Sequence, residues 1–309
     1  MIKKKYLVTG GTGFIGSHIC RLLVNLGHKV VVYDNNTRGK LSRIDDLKNK
    51  IKFVHGDIRD KKRLFKASKG IHAIIHLAYI NGTKYFYSKP DIVLDVAIKG
   101  LVNVFDACKK YKIKEIYLAS SSEVYQTPNK IPTDENESLK IPDIKNPRYS
   151  YGGGKILTEL MGMNLGRKIF KKLVIFRPHN VYGKDMGNEH VIPEFINRIK
   201  LKKGSKFYIE GNGNEIRSFI HIRDFIDAFN LLLKKGKHLE IYNVGTTERV
   251  RIKKLALIIS SLLNTKIKIR NKPIKKGATK IRVPSINKIK KLGFSRKLKL
   301  RQGLKEVIN

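Results

Sequence analysis

Along the first third of the chain, short runs of β-branched and aliphatic residues alternate with stretches whose apolar positions recur at helical spacing. Strands are predicted over residues 6–9, 29–33, 51–54, 73–77 and 115–119, with a further one over 173–176. Between the first two strands Ile15, Ile19, Leu22, Leu23 and Leu26 share one face, which predicts a helix over 14–26. Longer helices are predicted over 91–109 and, after a loop at 128–148 rich in Pro, Asn, Asp and Glu, over 151–168. Strands that are apolar almost throughout are buried on both faces, so this alternation predicts an α/β fold: a doubly wound parallel sheet between helical layers. Past Arg177-Pro178 the regularity gives way to turn-forming segments at 183–188 and 211–214. Residues 1–180 are therefore expected to form the main domain, with 215–243 returning to it. Residues 181–214 and 244–309 are expected to form a smaller, irregular lobe over the ends of the sheet.

Composition adds exclusions. With 309 residues and 41% apolar content the chain is long and hydrophobic enough to build a core, which excludes a disordered polymer. The longest apolar runs, such as 255–259, fall well short of the ~18–20 residues that span a bilayer. The basic start Met1-Ile2-Lys3-Lys4-Lys5 is followed by only Tyr6-Leu7-Val8 before glycines begin, so no signal core is expected. Two cysteines, Cys20 and Cys108, make no disulfide framework and are expected to be buried and inert. These features predict a cytoplasmic protein without a membrane partner. The formal net charge is +40, from 65 Lys and Arg against 25 Asp and Glu. The excess is mostly lysine and is spread along the chain. Its densest stretch, 272–305, carries almost no aromatics, so a solvated surface is expected and not a nucleic-acid platform. Such a field still steers anionic small molecules toward a cleft.

Candidate chemistry begins at Thr9-Gly10-Gly11-Thr12-Gly13-Phe14-Ile15-Gly16, which follows a strand and opens a helix. In that context the glycines let bare backbone approach a pyrophosphate at the positive end of a helix, a dinucleotide site of Rossmann type. Asp34 ends the second strand, 18 residues past Gly16, where a carboxylate accepts hydrogen bonds from ribose hydroxyls and repels a 2′-phosphate. This favours NAD over NADP, with Arg38 close by as the opposing indication. Asp57-Ile58, after the third strand, is placed to meet the adenine.

Tyr151 and Lys155 stand at i and i+4 and so share a helix face. For a phenol to act as a base near neutrality its pKa must fall by about 3 units, or ~4 kcal/mol. A cation at ~4 Å in an effective dielectric of ~20 supplies about that much. Lys155 is therefore expected to activate Tyr151 while holding the nicotinamide ribose. Gly152-Gly153-Gly154 between them are costly in a first helical turn and suggest close backbone approach. Ala119-Ser120-Ser121-Ser122-Glu123-Val124-Tyr125 sits at the C-terminal end of the fifth strand, the edge where such sheets bind ligands, and offers a hydroxyl to complete a Ser-Tyr-Lys triad. No histidine pair has metal-ligand spacing backed by carboxylates, so no metal is expected.

Together these motifs resemble the NAD-dependent nucleotide-sugar epimerase/dehydratase family, the extended short-chain dehydrogenase/reductases. The resemblance runs on through His76-Leu77-Ala78, Arg177-Pro178-His179-Asn180-Val181-Tyr182-Gly183, the 211–221 segment around Arg217, Leu292-Gly293-Phe294 and Gly303-Leu304. It implies bound NAD that takes a hydride from a sugar carbon, usually C4, while Tyr151 takes the hydroxyl proton. It implies Ser121 as the triad hydroxyl. It implies cofactor contacts from Gly10, Gly13, Phe14, Ile15, Gly16, Asp34, Asn35, Asp57, Ile58, Leu77, Ala78 and His179. Asn180, Arg217 and Arg282 would meet the nucleotide diphosphate, with Ser122 also near substrate. A homodimer through the 91–109 and 151–168 helices is implied as well. Four positions depart from the family pattern: Tyr79 where a small residue is usual, Ala97 where Asn is frequent, Gln126 for Gly and Ser285 for Asp.

A C4 ketone has three fates. It can be re-reduced on the other face, it can lose the C6 hydroxyl after C5 deprotonation, or, with a C6 carboxylate, it can lose carbon dioxide. In family dehydratases an Asp-Glu pair follows the triad; here those positions are Ser122 and Glu123. Glu123 can serve as a base, but Ser122 is a poor acid, which argues against 4,6-dehydration. The expectation is a sugar 4-epimerase resembling UDP-glucose 4-epimerase, with a UDP-glucuronate-type decarboxylase or a 4,6-dehydratase as alternatives. A non-catalytic NAD sensor and a nucleic-acid binder are more distant alternatives.

Overall fold

The structure is a computed structural model that describes residues 3–201, 206–273, 277 and 279–309. Met1 and Ile2 of the basic start, 202–205 in the second lobe, and 274–276 and 278 in the basic tail lie outside the described residues. The first part of the chain runs β1 (Lys5–Thr9), α1 (Phe14–Asn25), β2 (Lys29–Asp34), β3 (Ile51–His55), α2 (Lys61–Ser68), β4 (Ala73–His76), α3 (Thr83–Ser88), α4 (Pro90–Lys110), β5 (Glu115–Ala119), α5 (Tyr149–Ile169) and β6 (Lys172–Pro178). Then come β7 (Val181–Tyr182), α6 (Val191–Leu201), β8 (Lys206–Glu210), β9 (Ile216–Arg217), β10 (Ile220–His221), α7 (Ile222–Lys235) and β11 (Glu240–Val244). The chain closes with β12 (Val250–Arg251), α8 (Ile252–Leu262), β13 (Lys268–Lys272), β14 (Ile281–Arg282), α9 (Asn287–Lys290) and α10 (Leu300–Ile308).

Among the described residues seven strands form one sheet in the order β11-β6-β5-β4-β1-β2-β3, and every pairing in it is parallel. This is the doubly wound Rossmann-type sheet that the alternation predicts. Side chains alternate across it. Tyr6 and Val8 of β1 pack with Ile19 and Leu23 of α1 and with Phe225, Phe229 and Leu232 of α7. Leu7, between them, packs on the other face with Leu64 of α2 and Val104 and Phe105 of α4. The strand order reverses at β1 and β4, and the crevice at their C-terminal ends is where such a sheet binds ligands.

The later residues build small two- and three-stranded sheets and a separate core of Phe195, Ile199, Phe207, Leu255, Ile259 and Leu304. Helix α7 and strand β11 lie on the main sheet, α7 against α1 and β11 beside β6. Both cysteines are fully buried, and burial pushes both thiols far above their ordinary pKa. No described helix is long and apolar enough to cross a membrane.

Candidate active site

The turn from β1 into α1 is shaped by what its glycines allow. Gly10 has φ +74°, and a Cβ there would stand 2.7 Å from the Ala78 amide nitrogen. A Cβ on Gly16 would overlap the Gly10 carbonyl oxygen and approach the Gly11 Cα to 2.8 Å. The loop therefore folds tightly enough to aim the start of α1 into the crevice. The N-cap of α1, Gly13, brings no side-chain acceptor, and no acidic residue occupies the first turn. Its amides and its positive dipole end are left for an anion. A bare glycine cradle beside uncapped amides fits a pyrophosphate.

Beside this loop a cavity of about 170 Å³ is lined by Gly10, Gly13, Asp34, Asn35, Asp57, Ile58, Leu77 and Ala78, among others. Asp34 braces the loop, since its carboxylate accepts from the Thr12 amide at 3.0 Å and the Asn36 amide at 2.8 Å. Asp57 is held by Arg59 at 2.8 Å and by Asn35 at 3.0 Å. The Arg59 hydrogen bond is the main reason its carboxyl lies below the usual range. Arg38 is engaged elsewhere. It makes two bonds to Glu189, at 2.8 and 3.0 Å, and stands 4.7 Å over the Tyr85 ring. The cavity thus presents the Asp34 carboxylate with Arg38 already paired, a lining that suits two free ribose hydroxyls.

A second cavity, about 420 Å³, shares Gly10, Gly13, Leu77 and Tyr79 with the first. Phe14, Ile15, Gly16, Ser121, Ser122, Glu123, Tyr151, Lys155, Asn180, Arg217 and Arg282 line it, so the predicted catalytic and diphosphate residues converge. Helix α5 starts at Tyr149, two residues before the predicted start, because Asn146 accepts from the Arg148 amide at 3.0 Å and leads the chain into the first turn. The three glycines consequently reach into the second turn.

Tyr151 is fixed by stacking on Phe86, with ring centroids 4.7 Å apart, and its hydroxyl is hydrogen-bonded to Ser121. The Ser121 hydroxyl also accepts from the Glu123 amide at 3.1 Å. Lys155 donates to the Ala119 carbonyl at 2.7 Å. Burial, which a spacing argument leaves out, dominates both groups of the pair. It pushes the Tyr151 phenol up, against the Ser121 hydrogen bond. It lowers Lys155 to about 7, against the Glu159 charge. Burial, and not the lysine charge, is thus the largest influence on the phenol. Beneath the site the buried Arg177–Glu159 ion pair, 2.6 Å long, ties β6 to α5, and Ser120 bonds the same carboxylate.

At the far end Glu123 is gripped by Arg282 through two bonds of 2.5 and 3.0 Å. Burial alone would raise its pKa, but Arg282, Arg148 and Arg217 together bring it below the ordinary value. Burial, then Arg282, lowers Arg217 to about 9. Three guanidiniums thus act on Glu123, and with Glu215 also acting on Arg217 the group keeps an excess of positive charge for an anionic ligand. Asn180 is anchored to the Ser218 carbonyl at 2.8 Å.

His179 sits apart from the residues that line the two cavities. It is fully buried behind the cleft and bonds Asn243 at 3.1 Å, while its neighbours Pro178 and Asn180 line the cavity. Arg148, Arg59 and Glu189 were not singled out in the sequence. Arg148 had a usable signal, standing three residues before Tyr151 at the helix start. Glu189 had none, because its partner Arg38 is 151 residues away.

This geometry defines a dinucleotide-dependent enzyme of the short-chain dehydrogenase/reductase type, and comparison with known proteins narrows it. Residues 6–245 match the NAD dependent epimerase/dehydratase family, and the chain belongs to that family. It is 33% identical to a putative UDP-glucose 4-epimerase of Methanocaldococcus jannaschii, over 98% of this chain and 97% of that protein. It is 32% identical to a UDP-N-acetyl-alpha-D-glucosaminuronate decarboxylase of Bacillus cytotoxicus, over 99% of this chain and 97% of that one. Among solved structures it resembles the UDP-glucose 4-epimerase of Thermotoga maritima with UDP-glucose. The TM-score is 0.89 at 27% identity, with 98% of this chain and 97% of that one covered.

Proposed function

We propose that this NAD-dependent enzyme is a nucleotide-diphosphate-sugar 4-epimerase. Residues 1–180, with 215–243, hold the cofactor, and 181–214 with 244–309 hold the nucleotide sugar. Bound NAD supplies the acceptor for a hydride from the sugar C4. Gly10, Gly13 and the first turn of α1 receive its pyrophosphate, Asp34 and Asn35 its adenosine ribose, Asp57 and Ile58 its adenine, and Lys155 its nicotinamide ribose. Tyr151 takes the C4 hydroxyl proton and returns it, and Ser121 aligns the same oxygen. Arg217 and Asn180 hold the diphosphate, with Arg282 a secondary contact only through the N–H groups that Glu123 leaves free, and Ser122 lines the sugar pocket.

The observation that carries the epimerase reading is the Glu123–Arg282 clamp. Elimination of the C6 hydroxyl needs a free base for the C5 proton and an acid for the leaving group. Glu123 is committed to Arg282, and its neighbour Ser122 holds its proton too tightly. With elimination disfavoured, the ketone is re-reduced. A second reading, decarboxylation of a nucleotide-linked uronic acid, is favoured by the excess of guanidinium charge from Arg148, because a β-keto acid needs no acid–base pair to lose carbon dioxide. Incubation with UDP-, dTDP-, GDP- and CDP-sugars and uronates, read by product mass, tests both. Unchanged mass with inverted C4 is expected. Loss of carbon dioxide would select the second reading, and loss of water would overturn both. The chain is further proposed to act in the cytoplasm as a homodimer, with no nucleic-acid or membrane partner.

A further inference from the structure

Tyr79 and Ala97, which read in the sequence as two separate departures from the family pattern, meet Gly154 at one point. A Cβ on Gly154 would overlap the Tyr79 hydroxyl and come within 2.9 Å of the Ala97 methyl. The slot between α4 and α5 that receives the phenol thus exists only because residues 97 and 154 are small. From that slot the Tyr79 ring meets the edge of the Tyr151 ring, at 5.1 Å and 84°, and lies 3.9 Å from the Lys155 ammonium. The Tyr79 hydroxyl is buried and has no hydrogen-bond partner among the described residues. Its burial is therefore held by packing, which the ring's contact with a cation helps to offset. The ring also lines both cavities, at the wall between them.

We propose that Tyr79 is a positioning residue: seated by Ala97 and Gly154, its ring caps Lys155 and fixes the direction in which that lysine meets the nicotinamide ribose. The inference rests on the reading of Lys155 as a cofactor-holding residue. With one N–H on the Ala119 carbonyl and the Tyr79 ring over the ammonium, the remaining N–H directions are confined to the cleft. The set acts as one unit, so changing its members singly and together should give non-additive effects.

The test uses the full chain with four variants: Tyr79→Leu, Tyr79→Phe, Gly154→Ala and Tyr79→Phe/Gly154→Ala. The readouts are NAD affinity by titration and the melting temperature without NAD. Tyr79→Leu and Gly154→Ala are expected to weaken NAD binding by up to about ten-fold, the scale of ordering one released long side chain on binding. Tyr79→Phe, which keeps the ring, should rescue affinity relative to Leu, and the double variant should bind NAD better than Gly154→Ala alone. The melting temperature should likewise fall more in Gly154→Ala than in the double variant, a result that decides the slot even if the wild-type chain holds no NAD and the functional reading fails. Tyr79→Leu binding NAD as tightly as wild type, or a double variant no better than Gly154→Ala, would overturn the proposal.

Discussion

Tyr151 and Lys155 illustrate what single residues say in a sequence and what only their surroundings decide. Their spacing marks a shared face and the structure keeps it, but burial sets their proton affinities. Tyr151→Phe removes the proposed base while leaving the cofactor loop intact. Turnover should fall at least about 100-fold with NAD still bound, measured by product formation and by the nicotinamide released on denaturation. Lys155 gives a stability signature. Its folded pKa, about 7, lies below the unfolded value. Between the two values the unfolded chain binds more protons, so stability rises with pH, and below pH ~7 the whole cost of a buried charge is present. Lys155→Met should therefore stabilise the cofactor-free protein near pH 6, by up to about 5 kcal/mol. The gain should shrink toward pH 10. Denaturant melts across that range decide, and a gain independent of pH would contradict the assignment. The carboxylates Asp34 and Asp57 were legible because strand ends dictate what a carboxylate can reach. The seclusion of His179 was not, since a motif fixes order along the chain and not the side to which each residue points.

At the level of elements, β1 to β6 were legible as short apolar runs and α1 and α4 by their helical periodicity, whereas β11 was not, since only its pairing with β6 brings it to the sheet. The two-residue strands β7, β9, β10, β12 and β14 carry no periodicity, and contacts with distant segments make them. The same distance hides the bridge in which Arg38, from the turn after β2, meets Glu189, just before α6, and Tyr85 of α3. That bridge bears on cofactor choice. With Arg38 paired, Asp34 is the charge proposed to meet the adenosine ribose. Glu189→Gln frees the guanidinium, whose planar fork suits a 2′-phosphate. Affinity for NADP relative to NAD should then rise about ten-fold, equivalent to one charge-assisted hydrogen bond. Dissociation constants for the two cofactors measure it. An unchanged ratio would mean that Arg38 does not reach the ribose.

Over the whole molecule two surfaces stand out. Leu94, Ile98 and Val102 of α4 are 37%, 43% and 39% exposed, and Leu160 and Leu165 of α5 are 55% and 41% exposed. On α4 they recur every four residues and make one stripe. An apolar stripe on two adjacent helices suits a second copy of the chain. Ile98→Glu is expected to convert the proposed homodimer to monomer with the fold retained, and light scattering coupled to size exclusion shows which. The other surface is the lysine-rich remainder, whose field draws a nucleotide diphosphate toward the three guanidiniums at the end of the cavity. Under the proposed function both ends of that path meet at Tyr151, where a sugar C4 loses and regains its hydrogen without exchanging it with water. A UDP-sugar carrying deuterium at C4 tests this most directly. Mass spectrometry and NMR of the C4 epimer should show the deuterium retained on C4; an epimer that has exchanged it for solvent hydrogen would contradict hydride transfer at this site.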